Sequence, residues 1–331
     1  MKVLVTGSEG ALMQEVIPLL LGQGHEVRGV DNFVRYGEIE RDRNYEFIRG
    51  DLTDSSFAEE ITRGVDGVIQ AAAMVYGMGG LHRIPADNLS KDLVLHQNIL
   101  WGMLKNDVPK ILSMSSSLVY ERCQTSPNKE EDLDSSLIPL IGYSLSKLVG
   151  ERMVEAFAEQ YGLKYVSWRP FNVMSPHEKS ESEIGTSHVF ADYIKSIVLE
   201  KKTVLPIVGD GEQIRCFTWI GDVARGIAEH SFSDKAENNA FNLGNPEPIT
   251  MKNLAEIIYK GAQERGLVER SESGLQFETQ VSFKNDVRIR IPDVSKAKDM
   301  LGWEPTLKVE ESIGRCLDLI VSDSQKEAVS A

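Results

Sequence analysis

Cysteine is scarce in this 331-residue chain: Cys123, Cys216 and Cys316 are the only three, far apart and without a C-x-x-C spacing. That excludes a disulfide framework and gives no zinc site or other metal centre, so a reducing cytoplasm is the expected compartment. Long apolar runs are missing too. The longest near the N-terminus, residues 16–21, is too short to cross a bilayer or serve as a signal core, so no membrane or targeting segment is expected. Positive charge is in deficit, with 36 Lys and Arg against 50 Asp and Glu and a net charge of −14. Nucleic acid and anionic membranes are held by clustered positive charge, so neither is an expected partner. Internal repeats and low-complexity tracts are absent. What remains is ordinary for a globular protein, 41% hydrophobic and 26% charged, and long enough for one large domain or two associated ones around a buried cleft.

The order of elements is informative. Lys2-Val-Leu-Val-Thr6 reads as a buried strand, Gly7-Ser-Glu-Gly10 breaks it, residues 12–21 carry apolar side chains at helical spacing, and residues 25–30 resume strand character, ending at Asp31. Further strands are expected at 67–73, 110–116 and 164–170, with helices around 92–105 and 143–160. Such alternation predicts an α/β fold, a Rossmann-type doubly wound parallel sheet, with a smaller mixed α/β region after Pro170. Residues 1–170 are expected to form the dinucleotide-binding domain, with a strand and helix at about 216–230 and a strand at 240–244 returning to it within 217–247. Residues 171–216 and 248–320 would form the substrate domain, mostly helical after 248, and residues 322–331 a frayed polar tail.

A strand that runs through glycines into a helix makes a pyrophosphate cradle, because the backbone approaches closely and the helix start offers free N–H groups. Gly7 and Gly10 fill the first two places of a G-x-x-G-x-x-G pattern, while Met13 takes the third. Asp31 ends the second strand, where a carboxylate accepts ribose hydroxyls and repels a 2′-phosphate, which favours NAD over NADP. Tyr143 and Lys147 are four apart and share one helical face, where a neighbouring ammonium makes a phenol usable as a base. Ser115, Ser116 and Ser117 cluster at a strand end, where a hydroxyl can orient a substrate oxygen.

These residues belong to an ordered set. Thr6-Gly-x-x-Gly10, Asp31-Asn32, Gly50-Asp51-Leu52, Ala71-Ala72-Ala73, Ser115-Ser-Ser-x-Val-Tyr120, Tyr143-x-x-x-Lys147, Arg169-Pro-Phe-Asn172, Gly209-Asp-Gly-x-Gln-x-Arg215 and Arg290-x-Pro-Asp293 follow one another over residues 1 to about 320. The set closely resembles the extended short-chain dehydrogenase/reductase family, in its nucleotide-sugar epimerase and dehydratase branch. The resemblance implies a catalytic triad of Ser116, Tyr143 and Lys147. It implies an NAD site in which Gly7, Gly10, Ala11 and Leu12 hold the pyrophosphate, Asp31 and Asn32 the ribose, and Asp51 and Leu52 the adenine. Ala71, Ala72, Ala73 and Pro170 would line the nicotinamide, with Tyr143 and Lys147 also touching the cofactor. Ser117, Asn172, Arg215 and Arg290 are the implied substrate contacts, the arginines for the diphosphate. Similar proteins pair as homodimers through the helices that here carry Asp92 and Tyr143.

Departures narrow the reaction. Ser117 and Leu118 follow Ser116 where similar dehydratases carry Asp-Glu and similar decarboxylases a Glu. Gly77-Met-Gly-Gly80 and Ser187-His-Val189 resemble GDP-fucose synthase, which makes His188 a candidate sugar contact, but Leu118 replaces its catalytic Cys. Asp92 stands where the family carries an Asn, and Gln70 where it carries a His. The expected activity is NAD-dependent 4-epimerisation of a nucleotide sugar through a 4-keto intermediate, with Tyr143 moving the 4-hydroxyl proton. The alternatives are a 4-keto-sugar reductase, which consumes added NADH, and a non-catalytic NAD-binding sensor or scaffold.

Overall fold

A computed structural model describes residues 1–35, 37–38, 41–178, 180, 185–270 and 274–330, with 323–330 described by their backbone alone. The first strand, β1 (Lys2–Thr6), buries Val3, Leu4 and Val5 completely, as a strand covered on both faces requires. It is followed by α1 (Ala11–Gly22), β2 (Glu26–Asp31), β3 (Glu46–Arg49), α2 (Ser55–Ile61), β4 (Gly67–Gln70), α3 (Met78–Arg83), α4 (Pro85–Lys105), β5 (Lys110–Met114), α5 (Gly142–Tyr161) and β6 (Lys164–Pro170). The second half comprises β7 (Val173–Met174), α6 (Val189–Ile194), β8 (Val204–Val208), β9 (Ile214–Cys216), β10 (Thr218–Trp219), α7 (Ile220–His230) and β11 (Asn239–Leu243). It closes with β12 (Pro248–Thr250), α8 (Met251–Glu264), β13 (Gln276–Gln280), α9 (Ser295–Leu301) and α10 (Val309–Ser330).

Seven of these strands form one parallel sheet in the order β11-β6-β5-β4-β1-β2-β3. The fold is the doubly wound α/β arrangement. One face is covered by α1 and α7, whose Val16, Ile17, Val223 and Ile227 pack with Val5, Trp168 and Phe241. The other is covered by α2, α4 and α5, with Ile61, Ile99, Met103 and Val154 against Leu4, Val68 and Ile111. The strand order reverses between β1 and β4, and a crevice opens there beyond their carboxyl ends. A further core, around Phe190, Ile197, Leu205, Phe217, Leu254, Ile258 and Leu317, ties α6, α8 and α10 together beside the crevice.

Several expected boundaries shift for physical reasons. The strand expected to reach Ala73 ends at Gln70, because the Ala71 and Ala72 N–H groups leave the ladder and donate to the Thr6 hydroxyl. The strand expected to reach Ser116 ends at Met114, since Ser116 caps a 3-10 turn, its Oγ accepting from Leu118 N. The helix expected from about 92 begins at Pro85, where proline's fixed φ suits a first helical position. Residues 214–219 do not join the main sheet. β9 pairs antiparallel with β12, and β10 pairs parallel with β7, as two-stranded ribbons. The polar tail is the end of α10, a helix already nucleated by its buried first turns and so able to propagate through polar residues.

Candidate functional site

At the β1–α1 junction, Gly7 adopts a positive φ of 65°, and a Cβ there would lie 2.9 Å from the Ala72 backbone. Gly10 caps α1 in an extended conformation, and α1 starts at Ala11, which leaves the N–H groups of its first turn without carbonyl partners one turn earlier. Met13, in the third glycine place, points into the core instead. Thr6 locks this turn to the neighbouring strand end: its hydroxyl donates to Gln70 Oε1 (2.8 Å) while accepting from the Ala71 and Ala72 amides (3.0 and 3.1 Å). At the tip of β2, Asp31 accepts from Phe33 N on Oδ1 (2.8 Å) and from Glu9 N on Oδ2 (3.1 Å). Each carboxylate oxygen is thus fixed by one amide and retains capacity for a ligand hydroxyl. Asn32 turns the chain by accepting from Val34 N, Asp51 accepts from Thr53 N and Oγ1, and Leu52 is buried beside them.

The hydroxyl cluster after β5 faces the start of α5. Tyr143 and Lys147 are both buried, one turn apart, with the ammonium 5.4 Å from the centre of the phenol ring. Burial, reinforced by the charge of Asp92, pushes the Tyr143 phenol well above its ordinary range; a hydrogen bond with Ser116 and the charge of Arg290 pull it back down. Burial lowers the Lys147 ammonium and Asp92 opposes that. Asp92 is buried in α4 behind this pair, its carboxylate held by Met74 N (3.1 Å) and the Ser146 hydroxyl (3.2 Å). A phenol so placed stays protonated by itself, so its ionisation needs a further positive charge beside it.

The third group of side chains comes from segments far apart in sequence. Backbone bonds from Ile214 N to Arg288 O and from Arg290 N to Ile214 O lay residues 288–290 along β9, which sets Arg215 beside Arg290. Arg215 donates to Asp286 Oδ1 (2.8 Å) and Arg290 to Asn172 Oδ1 (2.8 Å), while Arg290 Nε has no partner among the described residues. Burial and then the like charge of Arg215 push Arg290 down to about 9, with Asp286 opposing. A guanidinium keeps its proton in a protein, so this displacement marks an unmet demand for an anion. His188, 46% exposed, pairs through Nδ1 with Glu178 Oε1 (2.8 Å), whose charge raises the imidazole.

Every candidate residue of all three groups lines one cavity of about 570 Å³ at the carboxyl ends of the sheet strands. Met74, Tyr76, Met78 and Leu118 complete the wall near Tyr143. Sequence reasoning missed Asp286, Glu178 and Glu9, all on the wall; each stands in a polar stretch with no local feature to mark it, and only its arginine or histidine partner, brought from elsewhere in the chain, singles it out. Residues 175–186 read in the sequence as a polar loop that could decide much of the specificity, and part of that loop, 179 and 181–184, lies outside the described residues.

The residues present fit a dinucleotide: a cradle that a Cβ would fill, an uncapped helix start and a doubly anchored carboxylate stand in the order that pyrophosphate and ribose require. Comparisons agree. A sequence model described as the NAD dependent epimerase/dehydratase family matches residues 3–244. A UDP-glucuronate 4-epimerase of Thermodesulfobacterium geofontis is 30% identical over 95% of this chain and 94% of its own. UDP-glucuronic acid decarboxylase 1 of Danio rerio is 27% identical over 99% of this chain and 74% of its own. Among solved structures, UDP-glucose 4-epimerase of Thermotoga maritima with UDP-glucose superposes with a TM-score of 0.82 at 26% identity, covering 98% of this chain and 99% of that one.

Proposed function

Because the chain belongs to the NAD-dependent epimerase/dehydratase family, we propose that it is a 4-epimerase of a nucleoside-diphosphate hexose. The observation that carries this reading is the make-up of the catalytic corner. Ser116, Tyr143 and Lys147 meet there, and Ser117 and Leu118 stand where elimination or decarboxylation needs an acid or base. Bound NAD supplies the acceptor, and later the donor, for the hydrogen on the sugar C4. The Tyr143 oxygen takes the proton of the 4-hydroxyl and returns it, Ser116 orients that hydroxyl, and Lys147 holds positive charge beside the phenol. Arg215 and Arg290 grip the diphosphate while the hexose turns between faces, beside a largely apolar wall that includes Met74, Met78 and Leu118. Asn172 and Ser117 serve the substrate, and His188 with Glu178 meets the sugar side of the cavity.

In this reading residues 1–170 with 217–247 serve the cofactor and 171–216 with 248–320 the substrate, save that Ala297 and Trp303 pack in the core of the main sheet beside α7 and β11. Homodimerisation through α4 and α5 is supported by Trp101, 43% exposed, packed edge-on to Phe157 with Val94 and Tyr161 exposed nearby. Light scattering on the eluting protein reads that directly. The unpaired thiols of all three cysteines favour a reducing compartment, and among the described residues no helix is long and apolar enough to cross a membrane.

Purified protein incubated with a panel of nucleotide sugars without added cofactor should form the C4 epimer of one of them. Tyr143→Phe should lower turnover by about a hundredfold or more while NAD stays bound. A strict need for added NADH would favour the reductase, loss of CO₂ from UDP-glucuronate the decarboxylase, and binding without turnover the sensor.

A further inference from the structure

The turn that cradles the pyrophosphate contains an acid whose partners come from the β2–β3 connection. Glu9 is only 3% exposed. Its carboxylate accepts from Arg43 Nε and Nη2 (both 3.1 Å) and from the Tyr45 hydroxyl (2.9 Å), and it pairs with Arg41 Nε (3.1 Å). Its own N–H anchors Asp31 Oδ2. Glu9 and Asp31 line the cavity, whereas Arg41 and Arg43 stand behind Glu9, the Arg43 guanidinium lying 4.3 Å over the Phe47 ring. The charges of Glu9, Asp31, Arg41 and Arg43 cancel.

We propose that Glu9 is a second determinant of cofactor choice, a positioning residue that draws two arginines away from the ribose and so denies them to the 2′-phosphate of NADP. This rests on the NAD-binding reading of the same cavity. Two guanidinium groups beside the end of β2 are what a phosphate at the ribose 2′-oxygen would bind, through charge-assisted and bidentate hydrogen bonds. Glu9 occupies them and places its own negative charge between them and the ligand. Asp31 alone repels the phosphate; with Glu9 beside it, the means of accommodating the phosphate is withdrawn as well.

The test exchanges the dinucleotide on the intact protein. Parent and Glu9→Gln are incubated with an equimolar excess of NAD and NADP until exchange is complete, and the bound dinucleotides are identified by mass spectrometry. Glu9→Gln frees one positive charge and loosens both arginines, so the ratio of bound NADP to NAD should rise by about tenfold or more. Arg41→Met, which leaves Glu9 paired with Arg43, should leave the parent ratio within about twofold. It provides a second reading should the first variant fail to fold. Bound NAD with an unchanged ratio in Glu9→Gln overturns the inference alone, as does a large fall in NADP binding on Arg41→Met. Parent protein that binds neither dinucleotide overturns the cofactor reading and this inference with it.

Discussion

Replacing Arg290 by Met separates ligand affinity from stability. Arg290 is 7% exposed and pushed down to about 9 by burial and by Arg215. Holding its charge there without an anion therefore costs on the order of a few kcal/mol. Substitution removes that cost and removes one hydrogen bond, leaving Asn172 Oδ1 unmatched, while Asn172 Nδ2 still donates to Cys216 O (2.9 Å). An unsatisfied acceptor costs about 1–3 kcal/mol, so the two effects oppose and nearly cancel. With an unfolding entropy of about 2.1 cal/mol/K per residue, 331 residues give about 0.7 kcal/mol per degree. A net change within about 2 kcal/mol keeps the ligand-free melting temperature within about 3 °C of the parent. Affinity for a nucleoside diphosphate should meanwhile fall about 10- to 150-fold, the worth of a hydrogen bond to a charged group. Titration calorimetry with UDP, the amount of NAD retained by the purified variant, and thermal melts read all three quantities. A UDP affinity within twofold of the parent, or equal losses for UDP and NAD, would refute the reasoning.

Two further outcomes follow from buried or paired charges. Glu151→Gln leaves Arg169, bound at 2.6 and 2.9 Å in the core, without its counter-ion. It should destabilise the protein by about 3–5 kcal/mol in thermal or urea unfolding, and Glu151→Met/Arg169→Met together should cost less than Glu151→Gln alone. The Glu178 charge raises His188 above its ordinary 6.5 in the folded protein, so the stability it lends is complete below about pH 6.5 and lost as pH rises through the raised value. The melting-temperature gap between parent and His188→Gln should accordingly be largest near pH 6 and shrink as pH rises above the ordinary imidazole range, and a gap that widens with pH would contradict the pairing.

Most of the central sheet was legible because its inner strands are buried on both faces and appear as unbroken apolar runs, such as Val3 to Val5 and Ile111 to Leu112, whereas the edge strand β3, exposed at Glu46 and Arg49, was not among those expected. The two-residue strands β7 and β10 carry no periodicity, and β8 pairs with β13 across some seventy residues, so the pairing of these ribbons left no local trace, although a strand near 216 was expected. The convergence of Gly7, Asp31, Ser116, Tyr143 and Lys147 could be anticipated because each sits at the carboxyl end of a sheet strand or at the start of a neighbouring helix. Asp286 and Glu9 are different. Their meaning lies in an arginine that only the folded chain brings near, and an acid at an unremarkable spacing does not announce its partner.

The Thr6 hydroxyl has a consequence for anyone who would rebuild this protein by exchanging parts. One oxygen joins the turn after β1 to the last residue of β4 and the two that follow it through three hydrogen bonds, and Gly7 presses against the same stretch. These two stretches form a single transplantable module, although more than sixty residues of sequence separate them. A chimera that imports the glycine turn from a relative without its matching Gln70-Ala-Ala-Ala73 would strand buried amides as well as altering the cofactor site. Recombination breakpoints should therefore fall outside both segments or carry them together.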